Sequence, residues 1–141
     1  MVVIGGGQGF WGDSNDAAIH MVRNSNINYL ACDYLAELTL SIMARQKLKN
    51  PNAGYARDFL GMMKECGKEA YEKGIKVLTN AGGMNIKGLV DALAEQAAGQ
   101  GLKGMKIGYV LGDEISSEIP RLLAEGMTFD NIDDVGNFNE V

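Results

Sequence analysis

Four short stretches of this 141-residue chain carry the residue types that ligand chemistry needs. The first is residues 5–13, GGGQGFWGD, in which Gly7-Gln8-Gly9-Phe10-Trp11-Gly12 spells G-x-G-x-x-G. Between a strand and a helix, such a turn leaves backbone N–H groups uncovered beside the positive end of the helix dipole. Gly7, Gly9 and Gly12 could then hold a phosphate, with Asp13 at the rim. The same spelling also suits a tight connection that needs positive φ. The second stretch brings Asp33 and, one helical turn on, Glu37. Asp33 stands 21 residues beyond Gly12, near the spacing at which an acid receives a ribose hydroxyl, and it is equally able to cap the next helix. The third offers Thr79, Asn80, Gly82 and Asn85, which could hydrogen-bond a ligand carbonyl or cap turns. The fourth brings Asp113 and Glu114. With Glu37 these are candidates for general acid/base work, for binding a hard cation, or for stabilising a helix N-terminus.

The elements that must position these groups follow from hydrophobic period and punctuation. Residues 2–4 (VVI) predict a short apolar strand, with the glycine turn after it. A helix is expected from near Asn15 to Arg23, with Asp13, Ser14 or Asn15 as its N-cap. Residues 28–32 (NYLAC) predict the second strand, and residues 35–49 a helix with Leu35, Leu38 and Ile42 on its apolar face. Residues 56–73 predict a helix with Phe59, Met62, Met63, Cys66 and Ala70 as its stripe, closed by Gly74. Residues 75–78 predict the third strand. A helix from Ile86, capped by Asn85, carries Leu89, Val90, Leu93 and Ala97. Residues 105–111 (MKIGYVL) predict a fourth strand, followed by a short helix capped by Ser116 or Ser117.

Alternating strands and helices imply an α/β fold with a parallel sheet. A Rossmann-like, doubly wound sheet fits best, and part of a TIM-like barrel has the same local grammar. In either, ligands sit at the carboxyl ends of the strands, where all four polar stretches fall. Residues 1–126 are expected to form one ligand-binding domain and residues 127–141 an irregular acidic tail.

Net charge is −5, which speaks against nucleic acid as a partner. No apolar run reaches the roughly 20 residues that span a bilayer. No basic, apolar leader opens the chain, and two scattered cysteines with one histidine make no zinc framework. Reduced thiols in the cytoplasm are the expectation, with Cys32 a small buried hydrophobe rather than a nucleophile. His20 reads as a helix-surface residue. Phe10 and Trp11 could stack on a flat ligand group or pack internally, Phe10 the more readily.

The chain also resembles the acyclic terpene utilisation (AtuA-like) family. The resemblance is carried by Gly7-Gln8-Gly9-Phe10-Trp11-Gly12-Asp13, by Asn28-Tyr29-Leu30 leading to Leu35-Ala36-Glu37-Leu38-Thr39, and by Asn52-Ala53-Gly54-Tyr55. It continues through Thr79-Asn80-Ala81-Gly82-Gly83-Met84-Asn85 and Gly112-Asp113-Glu114. It departs at Ile86, where the family has proline, and near Asp33 and Tyr34, where the family has an acid. The resemblance implies catabolism of branched, terpene-derived acyl chains handled as CoA thioesters, in the cytoplasm. Its members are longer, so the chain is expected to be an N-terminal portion or a split subunit with a protein partner. It assigns no reaction, cofactor or catalytic residue. Three functions are therefore open: a catabolic protein binding or acting on an acyl-CoA or branched carboxylic acid derivative, an NAD(P)-binding oxidoreductase domain, and a non-catalytic subunit of a larger complex.

Overall fold

A computed structural model describes residues 1–130. The chain divides into two units, Met1–Tyr109 and Val110–Val141. The first contains β1 (Ile4–Gln8), α1 (Asn15–Asn24), β2 (Tyr29–Cys32), α2 (Glu37–Lys49), α3 (Arg57–Glu72), β3 (Lys76–Thr79) and α4 (Ile86–Gly99). The second contains α5 (Ile119–Ala124). All three strands are parallel, in the order β1-β2-β3. The fold is an open α/β sheet alternating with helices, Rossmann-like in that grammar. Among the described residues no helix is long and apolar enough to cross a membrane.

Each helix begins and ends for a local reason. Ser14 caps α1 by accepting the Asp16 N–H, and Asn85 caps α4 by accepting that of Gly88. Gly74, at φ +70°, turns the chain out of α3. The expected stripe of α3 is buried in full: Phe59, Met62, Met63, Cys66 and Ala70. On its wet side Lys73 meets Glu69 at 2.9 Å.

The core sits on one face of the sheet. Gly5 and Leu30 pair across β1 and β2, with Val77 beside Leu30, and all three face α1 and α3. The register places Gly6, Ala31 and Leu78 on the other face, where all three are exposed, as is Ile4. A sequential order with right-handed crossovers puts successive helices on one side, which accounts for the asymmetry.

Four expectations are corrected. The first strand is Ile4–Gln8, not residues 2–4, so Gly5, Gly6 and Gly7 are strand and the turn starts at Gly9. Residues 105–111 form no strand, because nothing among the described residues pairs with them. In α2 the buried residue is Met43, while Leu38 is 70% exposed and Ile42 is exposed too. The cap of α5 is Glu118, without a side-chain bond, rather than Ser116 or Ser117.

Candidate functional site

The carboxyl ends of the strands fall at Gln8, Cys32 and Thr79, and the loops after them form one edge. The Asp33 N–H donates to the Gln8 carbonyl at 3.1 Å, tying the second loop to the first strand. Asn80 ties the second loop to the third. Its Oδ1 accepts the Tyr34 N–H at 2.7 Å, and its Nδ2 donates to Asp33 Oδ1 at 2.7 Å. Asp33 Oδ1 also accepts the Leu35 N–H at 3.1 Å. The Asn80 amide first, and that backbone donor second, hold the Asp33 carboxyl below the usual aspartate value. An exposed, ionised carboxylate therefore stands at the end of the central strand. Its bond to Leu35 makes it a turn residue. The cap position of α2 is Ala36, whose N–H is held by Thr39 Oγ1.

The glycine turn is closed on itself. Asp13 Oδ2 accepts the Gly9 N–H at 3.1 Å and its Oδ1 accepts the Ser14 N–H at 2.7 Å. These are donors an anion would otherwise use, so the Asp13 carboxylate stands where a phosphate was expected. Gly12 supplies positive φ (+94°), as a tight connection demands. Gly7 lies inside β1, at an irregularity of the β1–β2 register. Phe10 is 61% exposed while Trp11 packs on the core, the reverse of the expected preference.

The third loop is a knot. Asn85 Nδ2 donates to the carbonyls of Pro51 and Ala53, and Ala56 N–H donates to the Ala81 carbonyl. Met84 N–H donates to the Gly54 carbonyl, and Lys47 Nζ to the Met84 carbonyl at 2.6 Å. A Cβ on Gly82 would fall 2.8 Å from Ile86 Cγ1. Thr79 Oγ1 accepts the Ala81 N–H. Thus the motif shared by residues 79–85 joins the connection after α2 to the end of β3, and only Asn80 reaches the edge near Asp33.

Of the acid/base candidates, Glu37 is exposed at the first position of α2. Asp113 and Glu114 belong to the second unit, where Glu114 Oε1 accepts the Ser116 N–H at 2.6 Å. Asp133, Asp134 and Glu140 of the acidic tail lie outside the described residues. His20 is exposed on α1.

Two residues that the sequence reading did not single out complete the edge. Gln8 is 7% exposed and Tyr34 is 1% exposed. Gln8 Nε2 donates to Asn15 Oδ1 at 2.5 Å, and the Tyr34 ring meets Phe59 edge-on at 6.0 Å. Among the described residues Gln8 Oε1 and the Tyr34 hydroxyl complete no hydrogen bond of good geometry, although the Gln8 carboxamide acts on the Tyr34 phenol as a hydrogen-bonding neighbour. The usable signal was a lone amide inside a glycine strand. Burial raises the Tyr34 phenol well above its ordinary value, with Cys32 adding to the effect. Burial likewise pushes the Cys32 thiol up to about 11, so it is no nucleophile at neutral pH.

A cleft of about 350 Å³ opens at the opposite end of the strands, lined by Arg23, Asn24, Ser25, Ile27, Lys73 and Ile75 among others. Its cations are spent internally. Lys73 Nζ donates to the Val22 and Arg23 carbonyls and meets Glu69, which also pairs with Arg23. The polar loops after the strands, with Asp33 and Asn80, lie at the other edge.

A parallel sheet alternating with helices, with polar loops at the carboxyl ends of its strands, defines the class of open α/β folds. Residues 2–140 match the model described as acyclic terpene utilisation family protein AtuA, and the chain belongs to that family. No curated protein and no solved structure matches it.

Proposed function

We propose that the chain serves acyclic terpene utilisation in the cytoplasm by binding an acyl-CoA, or a related branched carboxylic acid derivative, at the carboxyl edge of its sheet. The observation that carries this reading is the family match over residues 2–140. The edge supports it with an ionised Asp33, the exposed Glu37 and the buried polar atoms of Gln8 and Tyr34. Asp33 and Glu37 are the carboxylates available for proton transfer there, and Asp113 and Glu114 are further candidates from the second unit. The reading does not rest on a diphosphate in the glycine turn, whose donors Asp13 occupies. That same occupation weighs against a dinucleotide held by Gly7, Gly9 and Gly12.

Thermal melting of the purified chain against CoA, 3-methylbutyryl-CoA, NAD(H) and NADP(H) tests it. A ligand at about 100 times its dissociation constant stabilises by roughly 2.7 kcal/mol, which a melt resolves. A shift with the CoA species alone supports the reading. A shift confined to a nicotinamide cofactor replaces it with the oxidoreductase. Turnover of an acyl-CoA that is lost in Asp113→Asn would make the second unit catalytic.

A non-catalytic subunit is the second reading, and the exposed sheet face at Ile4, Gly6, Ala31 and Leu78 favours it, since parallel sheets are ordinarily covered on both sides. Sedimentation across a hundredfold range of concentration checks it. A monomer throughout, with a ligand-dependent melt, rejects it.

A further inference from the structure

We propose that the free edge of β1 is a self-association surface, on which a second copy of this chain adds its own β1, antiparallel, about a two-fold axis. The contact lies on the outer edge of the sheet and is independent of what the carboxyl edge binds.

β1 ends the sheet order β1-β2-β3, so one side of it has no strand beside it among the described residues. The main-chain groups of Val3 turn inward. Its N–H donates to Asn28 Oδ1 at 2.8 Å, and its carbonyl accepts the N–H groups of Asn28 and Tyr29. Along a strand these groups alternate in direction, so those of Ile4 and Gly6 turn outward. An outward row of that kind is a template for another strand. Proteins that remain single guard it with a charge, a proline, a bulge or a covering element. Here residues 1–12 hold no charged side chain and no proline, although 22% of the chain is charged. The irregularity in the β1–β2 register falls after Gly6, beyond the stretch that would pair. The stretch is also open. Val2 and Ile4 are each 66% exposed, and Gly6 is exposed with nothing within 4 Å of a Cβ placed on it. The opposite edge differs, because β3 opens with the exposed Lys76, a guard of the ordinary kind.

The occupant follows from the edge itself. Two copies of a chain with net charge −5 repel one another, and they meet at least cost along a stretch without charged side chains. An antiparallel pair of identical strands is self-complementary about a two-fold axis. With that axis at Ile4, Ile4 meets its own equivalent, and Val2 of each copy lies over Gly6 of the other. The large side chain fills the space that the missing one leaves, and about six main-chain hydrogen bonds close the ladder. Val2 and Ile4 then line the open face of one continuous sheet. The contact is narrower than the ~800 Å² per partner of a standard interface, so the dimer is expected to dissociate on dilution.

The test is sedimentation velocity of the full chain across a hundredfold range of micromolar concentration, for wild type and single variants. Wild type is expected to pass from monomer to dimer and no further. Ile4→Lys sets like charges opposite one another and should weaken the dimer at least about tenfold. Because Ile4 is exposed, the diluted variant should melt where diluted wild type does, which separates lost pairing from lost folding. Leu78→Lys, on the same open face but on β3, should leave the dimer intact. Ile4→Cys should cross-link to itself with a short bismaleimide, and wild type is the blank, since Cys32 and Cys66 are buried. A wild type that stays monomeric throughout overturns the inference. So does association that grows past the dimer, since a two-fold contact closes. Dissociation by Leu78→Lys rather than by Ile4→Lys overturns it too, and moves the contact to the open face. If diluted Ile4→Lys melts markedly lower than wild type, Ile4→Cys decides: a cross-linked dimer upholds edge pairing and its absence overturns it.

Discussion

A methyl group on Gly7 would fall 2.9 Å from Cys32 Sγ and 3.0 Å from both Ala18 Cβ and Leu30 Cδ1. Gly7 is therefore a packing residue: its missing side chain lets α1 lie against the β1–β2 pair. Gly7→Ala is expected to destabilise by about 1–3 kcal/mol, the usual cost of overfilling a core. Gly6 is the control, because nothing lies within 4 Å of a Cβ there. Gly6→Ala should be neutral or slightly stabilising, and urea unfolding of the two variants side by side reads the difference. Equal midpoints would return Gly7 to the role of a mere turn former. At Asp33 the relevant quantity is pH. Its folded-state pKa lies below the ordinary value of 3.8, first through Asn80 and then through Leu35. A depressed carboxyl stabilises the fold above the unfolded value and loses that contribution as pH falls through the folded one. Asp33→Asn should therefore unfold more easily than wild type at pH 7, and the gap should close below about pH 4. A gap of constant size down to pH 3, measured by urea midpoints, would detach the carboxylate's charge from its bonds to Asn80 and Leu35.

Between elements, the side chain of Asn80 does what no backbone ladder can, since it joins the loop after β2 to the end of β3. Asn80→Ala removes the partner of the Tyr34 N–H, which is then left in a part-buried setting, and about 1–3 kcal/mol of stability should go with it. Because Tyr34 hangs from that bond, any ligand response at the edge should weaken in the same variant. A melt that shifts without loss of the ligand response would separate scaffold from site. This linkage also shows how far sequence could be read. The α3 stripe, the Asn85 cap and the Gly74 exit depend on neighbours within one or two turns, and local pattern finds such things. Gly5 to Gln8 were misjudged because glycine reads as a turn until the close approach of α1 is known. Residues 105–111 have every local mark of a strand, but strand propensity is realised only against a partner. Leu38 and Ile42 fit a helical stripe, and yet the inner side of α2 is defined by Met43 against the distant Gly54 and Gly83. The place of Asp33 at the end of the second strand was legible in the sequence. The contacts of Gln8 with Asn15 and of Tyr34 with Phe59 were not, because they join residues that only the folded chain brings together.

At the scale of the molecule, the hydrophobic core has a definite address. Every fully buried apolar residue among those described lies between Ala18 and Ala97, and Met105 and Ile107 pack half-buried against the cluster. The first unit, Met1–Tyr109, thus holds the sheet, four of the helices and the edge with Gln8, Asp33, Tyr34 and Asn80. A chain ending at Tyr109 is expected to fold with the helix signal of its four helices and to unfold cooperatively. Its denaturant slope should stay near that of the full chain, because the slope scales with the surface that folding buries. Any turnover that depends on Asp113 or Glu114 must vanish with the second unit. A broad, non-cooperative transition would mean that Met1–Tyr109 does not fold as a cooperative unit by itself.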